Sequence, residues 1–218
     1  MNKKIFGITL VFLLSAVGLV RAEEVQVALF NPVQLFHEDT DVRWLRLDLL
    51  LGVNNNVSGI DLGLLNVTKT DLTGIEFGLV NEVSGHMYGA QFGLASIDSG
   101  DSAGLEVGTI NVNNGSFHGW QAGTYNSVNG QLLGLQTGLI NVVKGEGGNN
   151  IQLAVVNYVE GSDYGLQWGG VNYAQDMHGF QLGLVNVTKS LDGLQLGLIN
   201  YNGKNKEYKF LPIVSWSF

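Results

Sequence analysis

Ten copies of one eight-residue unit constrain this chain more than any other feature. The unit reads Gly, apolar, acid or amide, apolar, Gly, apolar, apolar, Asn; its positions are numbered 1 to 8 below. Copies begin at Gly59, Gly74, Gly89, Gly104, Gly119, Gly134, Asn150, Gly165, Gly179 and Gly193, and an eroded copy, DLLLGVNN, begins at Asp48. The steps are 15 residues five times, then 16, 15, 14 and 14. Self-similarity at a fixed period means that each repeat is one structural unit leaning on its neighbours. Positions 2, 4 and 6 are apolar, while position 3 is polar and position 5 is Gly, as in Leu194, Gln195, Leu196, Gly197 and Leu198. That alternation is the period of a strand. Two Gly per unit would cost a helix about 2 kcal/mol in propensity. Connectors such as Val112-Asn-Asn-Gly-Ser-Phe-His carry turn residues.

An all-β chain of this kind has two available architectures. One is an antiparallel, repeat-built transmembrane β-barrel of about 12 strands, one strand per repeat. The other is a parallel β-solenoid with about 15 residues per coil. A barrel adds a period of two repeats, because successive turns lie on opposite sides of the membrane. Bulky residues do recur on alternate connectors: His86-Met87-Tyr88, Ser116-Phe117-His118 and Asp176-Met177-His178. The eroded copy, the ten full copies and a terminal strand also make an even number, as in single-chain barrels. These two observations favour the barrel. The Asn at position 8 and the apolar position 7 fit the solenoid better. In a barrel, positions 2, 4 and 6 would face lipid. The lumen would then be lined by Asp61, Glu76, Gln91, Glu106, Gln121, Gln136, Gln152, Gln167, Gln181 and Gln195. Such a path would favour cations if open. Small barrels, however, are often filled by side chains that bond one another.

Composition points the same way. Charged residues are 14% of the chain and mean hydropathy is +0.15, against about 25% charged residues in an ordinary soluble domain. The first residues, Met1 to Lys4, are basic, Ile5 to Val20 are almost wholly apolar, and Ala22 precedes Glu23 and Glu24. This is the pattern of a secretory signal, with cleavage expected after Ala22. The expected organisation is a signal peptide at 1–22, an N-terminal segment at 23–43, and one repeat-built β domain at 44–218. Its repeats run from 59 to 200 and its closing strand from 208 to 218. Removal of Lys3, Lys4 and Arg21 would leave 8 basic residues against 19 acidic ones. That balance argues against nucleic-acid or anionic-lipid binding. The chain has no Cys, which excludes disulfides, thiolate metal sites and a Cys-linked lipid anchor.

The chain closes on Phe210, Pro212, Val214, Trp216 and Phe218 in alternation. With Trp216 and Phe218, this strand resembles the assembly signal of outer-membrane barrel proteins. The tandem units, the segment NPVQLF at Asn31 to Phe36 and the closing SWSF together resemble a family of bacterial surface-repeat proteins. Members carry tandem GLQxGLxN repeats and an outer-membrane-type C-terminal Phe. The resemblance runs from about Val25 to Phe218. It implies export to the outer membrane of a Gram-negative-type bacterium, with outer-membrane lipid and the barrel-assembly machinery as partners. It implies no biochemical activity and transfers no functional residues.

Catalytic chemistry is not legible. His37, His86, His118 and His178 lack zinc-type spacing, and there is no GxSxG elbow. Gly145-Glu-Gly-Gly lacks the Lys-Ser/Thr of a phosphate loop. Glu76 and Glu106 hold equivalent positions two repeats apart and could form an acid/base pair, although an amide-bonded or solvated role is the plainer reading. The sequons at Asn66, Asn114 and Asn186 coincide with the repeat's own Asn or its turn. The expectation is therefore a non-enzymatic surface protein, without cofactor or metal, in a structural or passive-pore role. The alternative is an exported solenoid that binds a surface partner through its Gly/Gln face.

Overall fold

The structure is a computed structural model and describes residues 24–218. The expected signal peptide lies outside the described residues. The strands are β1 (Val25–Phe30), β2 (Val33–Gln34), β3 (Leu45–Asn54), β4 (Val57–Leu62), β5 (Leu65–Thr68), β6 (Leu72–Phe77), β7 (Val80–Val83), β8 (Met87–Phe92) and β9 (Ala95–Asp98). They continue as β10 (Ser102–Val107), β11 (Ile110–Asn113), β12 (Phe117–Ala122), β13 (Tyr125–Val128), β14 (Leu132–Thr137), β15 (Ile140–Val143), β16 (Gly147–Asp163), β17 (Leu166–Asn202) and β18 (Phe210–Ser217).

Each repeat is two short strands joined by a corner. The first strand carries positions 1 to 4 and the second begins at position 7. First strands stack only on first strands: β4, β6, β8, β10, β12 and β14 pair in parallel, with Gly59↔Gly74 and Gly104↔Gly119 in register. Second strands do the same from β5 to β15, with Asn66↔Asn81 and Asn126↔Asn141 in register. In β16 and β17 the strand runs unbroken around the corners. The chain is therefore a parallel β-solenoid of about 15 residues per coil. Stacked rings confirm the rise of a parallel ladder: Phe77 on Phe92 and Tyr158 on Tyr173, both at 4.9 Å.

The transmembrane barrel expected above is thereby corrected. A barrel needs neighbouring repeats to pair antiparallel, and here they pair parallel. The two-repeat period has another cause. Met87, Phe117 and Met177 lie in one buried file, where they alternate with Leu72, Ser102, Leu132, Asp163 and Leu191. These connector residues thus fill one packed interior column, in which Leu72 is as large as Met87 and Gly147 follows Leu132, and they do not mark alternate sides of a membrane.

Both ends of the stack are covered by non-repeat chain, as solenoids require. At the N-terminal end β1 lies parallel on β3, with Gln26↔Arg46, and β2 folds back against β1. At the C-terminal end β18 lies antiparallel on the last coil, with Gln195↔Ser215 and Leu194↔Trp216.

Four side chains of each coil point inward. In the coil that begins at β6 they are Leu72, Glu76, Asn81 and Val83, all fully buried. Stacked through the molecule they make four files. Two carry the apolar core: one, mostly apolar, from two residues before each position 1, and one from two after each position 8, where Val83, Val128, Val143, Val159 and Ala174 share the file with Thr68, Asp98, Asn113, Thr188 and Asn202. The other two are polar, from positions 3 and 8. The apolar files lie beneath the connector edge, where Lys69, Ser84, Ser99, Asp101 and Asn114 are found. The polar files lie beneath the opposite edge, the corner at positions 5 to 7.

Candidate functional site

The ten residues expected to line a lumen form one interior file, each fully buried. They are brought together, but as a hydrogen-bonded column and not as the wall of a channel. Gln136 donates to Gln121 at 2.7 Å, Gln152 to Gln136 at 2.9 Å, Gln167 to Gln152 at 3.0 Å, Gln181 to Gln167 at 2.7 Å and Gln195 to Gln181 at 2.8 Å. Each step points toward the N-terminus. The position-8 file runs the other way: Asn111 donates to Asn126 at 2.8 Å, Asn126 to Asn141 at 2.9 Å and Asn157 to Asn172 at 2.9 Å. Amides stacked at strand spacing satisfy one another, which removes most of the cost of burying them.

The Asn file has a second task. Asn66 donates to the carbonyl of Phe77, Asn126 to that of Thr137 and Asn186 to that of Leu196, at 2.9–3.0 Å. The same carbonyl of Phe77 also accepts from the N–H of Gly63, at 3.0 Å. At the next two positions Leu79 N–H and Val80 N–H both donate to the carbonyl of Leu64, and Leu94 and Ala95 repeat this on Leu79. The N–H groups of these corners are thus paired coil to coil.

Its outer surface is apolar. Ile75, Phe77 and Leu79 of one coil are 41%, 44% and 47% exposed. Along the position-6 row, Leu64, Leu79, Leu94, Leu139, Val155, Leu184 and Leu198 are all exposed, with Thr109, Thr124 and Gly170 in the remaining copies. Aromatic residues stand to either side of this aliphatic corner. Phe77, Phe92 and Trp168 lie on the first strands, and Tyr158, Tyr173 and Tyr201 on the second. The molecule is therefore inverted at this edge, with amides within and hydrocarbon without. Scattered surface Leu is ordinary, but an apolar edge repeated on seven of ten coils is not. The high hydropathy and low charge of the sequence are explained by this edge.

The buried acids sit among the polar files. Arg46, fully buried, donates from Nε to Asp61 Oδ1 at 2.8 Å, from Nη2 to Asp61 Oδ2 and from Nη1 to the carbonyl of Val67 at 2.9 Å; its Nε is 3.1 Å from Asp48. Burial would lower its pKa, but Asp61 above all holds the guanidinium above its usual range. Burial pushes Asp48 up to about 7 against the pull of Arg46. Burial likewise pushes Asp163 up to about 7, opposed by Asn150, which donates to it at 2.7 Å. Glu76 and Glu106 are pushed well above the carboxylate range by burial and then by the adjacent Asp61 and Asp98.

These acids do not form the acid/base pair considered from the sequence. Gln91 stands between Glu76 and Glu106 in the file, and neither reaches solvent. The histidines are not gathered either. His37 pairs with Asp39 at 3.3 Å, His86 meets the carbonyl of Asp101 at 3.2 Å, and His178 stacks on Tyr164 at 4.7 Å. Among the described residues no group of three or more His, Asp or Glu could hold a metal ion. Trp216 and Phe218 are exposed on and just beyond the capping strand β18. An open groove of about 700 Å³ is floored by Gly119, Gly134, Gly165 and Gly179 and walled by Leu135, Tyr164, His178 and Phe180. Comparison with protein families, with curated proteins and with solved structures finds no match.

The sequence did not reveal the corner. Position 5 reads as one more residue of a strand, whereas a Cβ at Gly123 would lie 2.6 Å from the carbonyl of Gly108 and 2.7 Å from the amide of Asn111. The signal was present in the pairing of Gly at position 5 with Asn at position 8.

Proposed function

We propose that the protein is an exported, non-catalytic surface protein that lies along the outer membrane with its apolar edge set into the lipid layer. The observation that carries this reading is the exposed apolar corner shared by most coils, whose backbone N–H groups are paired from coil to coil. A non-helical chain can meet hydrocarbon only where its N–H and C=O groups are already paired. Amphipathic elements that lie on a bilayer bury an apolar face roughly 5–10 Å deep, and aromatic residues favour the interface on each side. The flanking Phe, Trp and Tyr rows stand where that depth would place them. The charged connector edge would then face water. The resemblance to surface-repeat proteins agrees with this placement. A passive pore finds less support, because the interior files are occupied by their own side chains.

Flotation on zwitterionic liposomes tests the reading. The full chain should float. Changing Leu94, Leu139 and Leu184, which are 58%, 53% and 59% exposed, to Glu should weaken partitioning by at least about tenfold, since about 1.4 kcal/mol suffices for that factor. Changing Ser84, Ser99 and Asn114 on the opposite edge to Glu should leave it unchanged. Flotation that survives the leucine changes, or a wild-type chain that stays with the soluble fraction, would refute the reading.

The groove on the glycine floor supports a second reading, in which a surface partner docks along the flank. The Gln side chains expected to share that face are interior, so contact would fall on Tyr164, His178 and Phe180. Phe180→Ala should then weaken partner capture and leave flotation intact.

A further inference from the structure

In the position-3 file, Glu76 and Glu106 occupy places that Gln holds in the later coils. Each accepts at Oε2 as a Gln would: Gln91 donates to Glu76 at 2.8 Å and Gln121 to Glu106 at 2.8 Å. Their Oε1 atoms are different. Neither has a donor, though both are buried. Glu106 Oε1 belongs to a carboxyl in contact with that of Asp98, whose Oδ1 is also without a donor while Oδ2 accepts from Ser102 at 3.0 Å. Glu76 contacts Asp61 in the same way, and the nearest Arg46 nitrogen stands 3.6 Å from its Oε1, too far for a good hydrogen bond. The groups facing Glu76 are Asp61, Arg46 and Gln91, with Asp48 beyond Arg46. Those facing Glu106 are Asp98 and Gln121. No cation is among the groups acting on Asp98 or Glu106.

Two buried carboxyl groups in contact do not both stay ionised; one keeps a proton and donates it to the other, and the single charge of Arg46 is already bound to both oxygens of Asp61. We propose that Glu76 and Glu106 stand in the folded protein as neutral carboxylic acids, bonded to the carboxylates of Asp61 and Asp98, and that release of these protons loosens the coils from β4 to β10. A neutral Glu is nearly isosteric with Gln, which is how both enter the file at ordinary Gln spacing. Burial, which pushes both acids well above the usual range, acts in the same sense. The unfolded chain ionises these groups near about pH 4.3. The folded chain keeps its protons longer. Their stabilisation is therefore complete below that pH and is lost as the pH rises through the folded values.

Infrared spectroscopy and thermal unfolding of the intact chain in mild detergent test this. A protonated-carboxyl band should persist at about pH 8, above the values of about 7 at which Asp48 and Asp163 ionise. Glu76→Gln with Glu106→Gln should abolish it. Wild-type Tm should fall from about pH 5 to about pH 8, and the double variant should fall less and be at least as stable at the higher pH. Absence of the band in the wild-type chain overturns the proposal, and that measurement needs no variant to fold. So does an equal loss of Tm in the double variant at both pH values.

Discussion

Arg46→Met is expected to melt the N-terminal coils at neutral pH while the C-terminal coils stay folded. Arg46 is fully buried and binds both oxygens of Asp61, the carbonyl of Val67 and, at 3.1 Å, Asp48. Methionine fills much of the same space but leaves Asp61 and Asp48 as buried charges without a partner. Removing one side of a buried pair costs about 3–5 kcal/mol. In a solenoid each coil touches only its neighbours, so the loss stays near its origin. Hydrogen exchange should speed up from β1 through about β6, with little change in β14 to β17. Acid should repair the defect. Without Arg46 nothing opposes the burial that already pushes Asp48 up to about 7, so the variant regains stability as the pH falls toward the unfolded value, near about 4. Arg46→Lys keeps the charge and loses the two-pronged bond, so its effect should be smaller. Even loss of protection along the whole chain, or none, would contradict this account.

The alternation in each repeat was legible because it reflects a real division of faces. Positions 2, 4 and 6, as in Ile75, Phe77 and Leu79, do point outward, and position 3, as in Glu76, does point inward. The steps of 16 and 14 residues also reappear as coil lengths, in Gln136↔Gln152 and in the bond from Gln181 to Gln167. Direction of pairing was not legible from that pattern. A period of two is the same in an antiparallel barrel strand and in one side of a coil, and hydrocarbon outside with amides inside is the usual signature of a barrel. Met87 and Phe117 then supplied a two-repeat rhythm, and that both belong to one buried file is visible only once the coils are stacked. What could have decided the matter was Asn at position 8. A lone Asn recurring at the end of every barrel strand has no common partner. In a solenoid it meets its own copy one coil away, as Asn126 meets Asn141. The partners of Glu76 and Glu106 were hidden for a related reason. Asp61 lies in the neighbouring coil of the same file and Asp98 in a different file, and neither adjacency follows from spacing within one repeat.

Gly119→Ala is expected to cost about 2–6 kcal/mol, as the same change at any of the stacked position-1 glycines would. The position-1 glycines lie one above another, backbone against backbone. At Gly119 φ is +148°, and a Cβ would come within 1.9 Å of the carbonyl oxygen of Gly104. The obstacle is peptide backbone already fixed by the ladder between β10 and β12, so it cannot swing aside as a long side chain could. Forcing an L-residue into such a conformation costs about 1–3 kcal/mol, and overpacking adds about 1–3 kcal/mol. Moving the two coils apart would also lengthen the steps of both amide files, so the damage should reach Gln121 and Asn126. Gly170→Ala is the comparison. Gly170 stands at position 6, where other coils carry Leu, Thr or Val; a Cβ there meets the carbonyl of Val155 at 3.0 Å and nothing else closer than 3.7 Å. Its stability should change by less than about 0.5 kcal/mol, as surface changes usually do. Urea unfolding of both variants separates the accounts. A large loss at Gly119 with little at Gly170 means that close backbone approach sets the coil spacing. Equal losses would mean that loss of glycine as such, and not its place in the stack, determines the effect.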